Sequence, residues 1–163
     1  DSIVTMDTGL RQLSQVLEEV RNFIAGLDAH ILNGQEFDMV LRTMASELST
    51  SYSLPCRVTI EKAAAQCLST EQAYHVMNVA REALSNSFRH SHARKIALSL
   101  KRLRRSVRLS VVDNGVGFNP STIRDTGHGL GNMASRANKI GGTFTLRSKP
   151  QGGARIILDI PMI

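Results

Sequence analysis

Residues 70–90 read TEQAYHVMNVAREALSNSFRH, and the organisation of the chain follows from their spacing. Ala73, Val76, Met77, Ala80, Ala83, Leu84 and Phe88 recur every three or four residues, the period of a helix with one buried half. Ser69, with Gln72 three residues on, supplies a capping box at its start. On the opposite half Glu82, Asn86 and Arg89 fall within about 60° of one another, with His90 at the margin. Such a cluster is either an ordinary wetted face or one wall of a binding site.

Downstream, RKIALSL (94–100) and SVRLSVVD (106–113) have the look of two strands joined by the basic turn KRLRR. A polar, Gly-rich loop covers about 114–129. A helix through Met133, Ala137 and Ile140 follows, and Gly141-Gly142 stops it. TFTLRS (143–148) and ARIILDI (154–160) close the chain as strands ending at Pro161. Upstream, CRVTIE (56–61) makes a strand after Pro55, preceded by a helix through Phe37, Val40, Leu41, Met44 and Leu48. Helices first and hairpin-linked strands later predict an α+β sandwich, a mixed sheet covered by helices on one face. Before the Asn33-Gly34 break, Met6, Leu10, Leu13, Leu17, Val20, Ile24, Leu27 and Ile31 alternate steps of four and three. That seam predicts a dimerisation-type helix, although an amphipathic helix lying on a core has similar spacing.

In SVVDNGVGF, Asp113 continues the inward phase of Val107, Leu109 and Val111. Its carboxylate should therefore face the core, where it requires hydrogen-bond donors. Gly115 and Gly117 remove side-chain bulk beside it, which would let a ligand approach the backbone. A charge-assisted bond from an exocyclic amine to such a carboxylate is worth roughly 1.5–3 kcal/mol. A plain DNG turn fits the same letters. In GHGLGNM, Gly127, Gly129 and Gly131 stand at a helix entry, where backbone N–H groups favour phosphate. The preceding NPSTIRDT has the polar character of a lid. Asn86 offers the neutral oxygen that Mg²⁺ accepts, Arg89 can meet phosphate oxygens, and Glu82 can act as a base or hold a metal-bound water.

REALSNSFRH, DNGVGF and GHGLGNM, in this order, resemble the N, G1 and G2 boxes of the GHKL ATPases. They are most similar to the catalytic ATP-binding domain of sensor histidine kinases, in the subfamily with an HE/HD acceptor motif. The closing QGGARIILDIP resembles that domain's final glycine turn and strand, and EVRNFIAGL the end of its second dimerisation helix. The resemblance implies a Bergerat-type sandwich with residues 33–163 as the catalytic domain. Residues 1–32 would be the second helix of a dimerisation and phosphotransfer bundle. It implies ATP and Mg²⁺ as cofactors, with Glu82 and Asn86 catalytic and Asn86 on the metal. The nucleotide set would be Asn86, Arg89, His90, Asp113, Gly115, Gly117, Gly127, Gly129, Leu130 and Gly131. Asp113 would take the adenine amino group, and Arg89 would stand where the family usually has Lys.

Two departures matter. Ala154 replaces a frequent Thr, so any hydroxyl contact to the base is lost. The five histidines, His30, His75, His90, His92 and His128, all lack an HE or HD context. The phosphorylated histidine is therefore expected outside residues 1–163, with a response regulator as the onward partner and a homodimer as the assembly. An anti-sigma-type serine kinase or another GHKL ATPase shares the fold.

The formal net charge of +6 and 42% hydrophobic content suit a globular chain with anionic partners. Nucleic acid is not expected, because aromatics are only 4% and none is interleaved with the basic turn. Cys56 and Cys67 lack metal-ligand spacing, and no signal peptide or membrane-length apolar run is evident. A cytoplasmic domain is expected, with any inner-membrane anchor in other regions.

Overall fold

The computed structural model describes residues 34–122 and 129–162. The heptad stretch, Gly127, His128 and the second half of the expected lid, residues 123–126, lie outside these residues. Helix α1 (Gly34–Tyr52) leads to strand β1 (Cys56–Ile60), the short helix α2 (Lys62–Gln66) and the long helix α3 (Thr70–His90). Strands β2 (Ile96–Arg102) and β3 (Ser106–Asp113) follow, then a 3-10 turn at Pro120–Thr122. Helix α4 (Gly129–Lys139) and strands β4 (Thr143–Ser148) and β5 (Ala154–Pro161) complete the order.

The sheet runs β1-β2-β3-β5-β4. β1 and β2 are parallel, as their helical crossover requires, and the other neighbours are antiparallel. The mixed sheet expected from the sequence is therefore present. Alternation divides its faces: Ile96, Leu98 and Leu100, then Val107, Leu109 and Val111, then Ile156, Leu158 and Ile160 turn inward and are buried. The alternate residues Arg57, Lys101, Arg108, Arg147 and Arg155 are exposed on the outer face.

Helix α3 is the spine of the core. Its seven periodic apolar residues are all buried, joined by Val79 and by the polar Gln72, His75 and Ser87. Both halves of the capping box form: Gln72 N donates to Ser69 Oγ at 3.1 Å and Ser69 N to Gln72 Oε1 at 3.0 Å. Gln72 also reaches the far end of the sheet, its Nε2 donating to the Pro161 carbonyl at 3.0 Å. Phe37 and Leu41 seat α1 on this core, and Met133 and Ala137 seat α4. Gly141, at φ +63°, ends the α4 segment. Among the described residues no helix is long and apolar enough to cross a membrane.

Candidate functional site

Asp113 ends the inward row of β3 as the alternation predicts, at 6% exposure. Its partners come from three segments. Ser87 Oγ on α3 donates to Oδ2 at 3.0 Å, while the Gly115 and Ala154 N–H groups donate to Oδ1 at 2.9 and 3.3 Å. A carboxylate offers about four lone-pair sites. Three are met internally, which fixes the group and leaves acceptor capacity for one outside donor.

That capacity opens on a cavity of about 450 Å³. Glu82, Asn86 and His90 from α3 form one wall, Gly129 and Leu130 from α4 another, and Val116, Gly117 and Phe118 the β3 loop side. Ala83, Leu146, Ala154 and Ile156 supply apolar surface around Asp113. A mostly apolar cleft with a few converging polar groups is the usual form of a small-molecule site. On the polar face of α3, Glu82 and Asn86 line the cleft and are half-buried.

The glycines act differently from the sequence expectation. A Cβ on Gly115 would overlap the Ser91 carbonyl oxygen, so its vacated space is filled by protein backbone, not by ligand. Val116 N donates to the same carbonyl at 2.8 Å, tying the loop to the end of α3. Gly117, at φ +61°, does line the cavity, and its missing Cβ makes room for the Lys149 carbonyl. A side chain on Gly129 would run into the Glu82 carboxylate. Its absence lets the first turn of α4 approach α3, and a carboxylate beside a helix N-terminus is electrostatically favoured.

Arg89 and Gly131 are not brought to the cavity lining. Arg89 Nε donates to the Tyr52 hydroxyl at 3.3 Å, and Tyr52 in turn stacks on Phe88 at 5.4 Å between centroids. Gly131 is exposed, with open space at its Cβ position. Gly115 stands behind the lining, and Gly127 lies outside the described residues. Sequence reasoning missed Ser87, the donor that anchors Asp113, and Ser91, which lines the cleft and braces the loop. A small hydroxyl next to Asn86, one turn before the helix end, was the available signal.

The chain is thus an α+β sandwich with one fixed, buried carboxylate at the floor of a cleft and a carboxamide in its wall. Residues 71–163 match the family of histidine kinase-, DNA gyrase B- and HSP90-like ATPases, and the chain belongs to that family. The sensor histidine kinase LiaS of Bacillus subtilis is 38% identical over 88 residues, covering 54% of this chain and 24% of LiaS. The nitrate/nitrite sensor protein NarX of Escherichia coli is 29% identical over 118 residues, covering 72% of this chain and 20% of NarX. The chain thus spans about a quarter of the length of such relatives. The blue-light activated histidine kinase of Erythrobacter litoralis superposes with a TM-score of 0.71 at 17% identity, over 91% of this chain and 50% of that one. The Acinetobacter baumannii histidine kinase AdeS gives 0.63 at 16% identity, over 94% and 81%. The fold is the Bergerat ATPase sandwich, and the chain carries an ATP-binding catalytic domain of the sensor histidine kinase type.

Proposed function

We propose that this domain binds Mg·ATP in the α3–α4 cleft and passes the γ-phosphoryl to a histidine outside residues 1–163, for relay to a response regulator. The supporting observation is the Asp113 carboxylate, held by three donors at the floor of the cleft with acceptor capacity to spare. It would accept from the adenine amino group, while Ala154, Ile156 and Leu146 cover the ring. The pocket accepts the base without a Thr hydroxyl at 154, because the backbone N–H there already holds Asp113.

Among the described residues no cluster of three His, Cys, Asp or Glu side chains could hold a metal by itself. A single carboxamide, Asn86, fits Mg²⁺, which keeps several waters and shares phosphate oxygens. The ion would supply charge neutralisation on the phosphates. Glu82 would orient the acceptor side, and Leu130 would close over the nucleotide. Arg89 would serve the phosphates by exchanging the Tyr52 hydroxyl for a phosphate oxygen. Phosphoryl transfer asks mainly for positioning and electrostatic stabilisation, which suits a domain lacking its own acceptor. His75 is buried, His90 lies at the cleft, and His92 sits at φ +50° in the turn after α3. Residues 1–32 would pair in a homodimer, and any membrane contact would come through other regions.

The test is incubation of the chain with Mg²⁺ and labelled ATP. Nucleotide binding without self-labelling is expected, whereas label on a histidine of the isolated chain would contradict the reading. Label on a serine of an added partner would instead favour a serine kinase.

A further inference from the structure

We propose a second anion site on the outer face of the sheet, behind Asp113, in which Arg147, Arg155 and Lys149 take a compact phosphate-type oxyanion. It shares Asp113 and Ala154 with the cleft as a common partition but opens on the other face of the sheet, and it does not depend on the nucleotide reading.

Arg147 and Arg155 are directly opposite in the β4–β5 register, both exposed on the outer face. Like charges so placed repel and destabilise a strand pair. No salt bridge relieves them among the described residues. The acid of this face, Asp159, is engaged elsewhere: Arg108 donates to both of its oxygens, at 2.6 and 2.8 Å. The same row continues through Val112 and Ala97, small residues that leave the arginines uncovered, to Arg57 on β1.

Beside the Arg pair is a cavity of about 290 Å³, lined also by Val112, Ser148, Lys149 and Gly152. Asp113 borders it too, but its side chain continues the inward row of β3, so its carboxylate bonds Ser87, Gly115 and Ala154 on the other face of the sheet. The turn that carries Lys149 is pinned: Gly152 N donates to the Lys149 carbonyl at 3.0 Å and Gln151 N to the Val116 carbonyl at 2.6 Å. The backbone of this turn is therefore fixed before any ligand arrives. The cavity's volume lies at the bottom of the ~300–1,000 Å³ range of small-molecule sites, which suits one or two phosphate groups better than a nucleotide. Guanidinium forks match phosphate oxygens in pairs, and an anion between the arginines converts their repulsion into attraction.

The test is residue-resolved amide NMR on the 163-residue chain titrated with inorganic pyrophosphate and, in a second arm, with a phosphoserine peptide. Saturable shifts at Gly152, Gly153 and Arg155 are expected in at least one arm. The stronger arm identifies the source as a free anion or a phosphorylated side chain. In R147Q/R155Q that binding should weaken at least about tenfold, the loss of charge-assisted bonds, while amide resonances away from residues 147–155 keep their positions. The double variant should melt no lower than wild type in anion-free buffer, and K149Q provides a milder second variant. Absence of saturable shifts at residues 152–155 in both arms, or equal affinity in R147Q/R155Q, would overturn the site.

Discussion

Asp113 at the end of β3 and His75 on α3 are both buried polar side chains, at 6% and 7% exposure, and the fold treats them oppositely. Asp113 collects donors from α3, from its own loop and from β5. His75 Nδ1 has no hydrogen-bond partner, and the ring meets Tyr74 edge-on at 5.0 Å. Burial, then the charges of Arg136 and Lys139, push the imidazole pKa below its ordinary value, with Glu71 opposing weakly. His75 lines neither of the two cavities described above, whereas Asp113 faces the cleft. Burial of a polar group thus does not by itself mark a site. Preorganisation toward open space does.

The largest break in this contrast should come from Gly115→Ala. The new methyl meets backbone at Ser91, which cannot step aside as a side chain would. A stability loss of about 3 kcal/mol is expected, read by denaturant unfolding, together with a disordered Asp113 loop. A wild-type midpoint would show that the loop tolerates the bulk and that Gly115 serves some other end.

Ser87→Ala is next. It removes one donor from a carboxylate that must stay fixed, so affinity for an adenine nucleotide should fall about tenfold while the fold persists. Unchanged affinity by calorimetry would mean that the two backbone N–H groups suffice.

His75→Leu should have the smallest effect and the opposite sign. With its folded pKa lowered, His75 remains neutral in the native state while the unfolded chain takes up a proton near the ordinary pKa of about 6.5. The resulting stability is present above that value and is lost as pH falls through it, until the folded pKa is reached. The leucine variant should therefore lose less stability between pH 7.5 and about 5.5 than wild type. Parallel pH profiles for the two proteins would remove His75 from the account.

Much of this was legible in the sequence because it is periodic or local. Alternation placed Asp113 inward, the Ser69–Gln72 pair marked the start of α3, and the three-four spacing chose its buried face. What escaped depends on contacts between distant segments. Ser87 bonds to a residue 26 positions away, and its letter on a helix is indistinguishable from a wetted serine. Arg89 belongs to the polar half of the wheel, but Tyr52 of α1 draws it from the cleft. The sequence shows that Gly115 lacks a side chain, and only the fold shows that the Ser91 backbone fills the space. The Arg147–Arg155 opposition needs the β4–β5 register, which neither strand encodes alone.

The central claim is that the cleft between Asp113 and Asn86 is the Mg·ATP site. Calorimetric binding of a non-hydrolysable ATP analogue with Mg²⁺ should be lost, by about 100-fold or more, in Asp113→Ala, where the base loses its acceptor and three donors are left unpaired. In Asn86→Ala the analogue should still bind, with its dependence on Mg²⁺ removed. If both variants bind as tightly as wild type and respond equally to Mg²⁺, the nucleotide lies elsewhere and the assignment of this cleft is wrong.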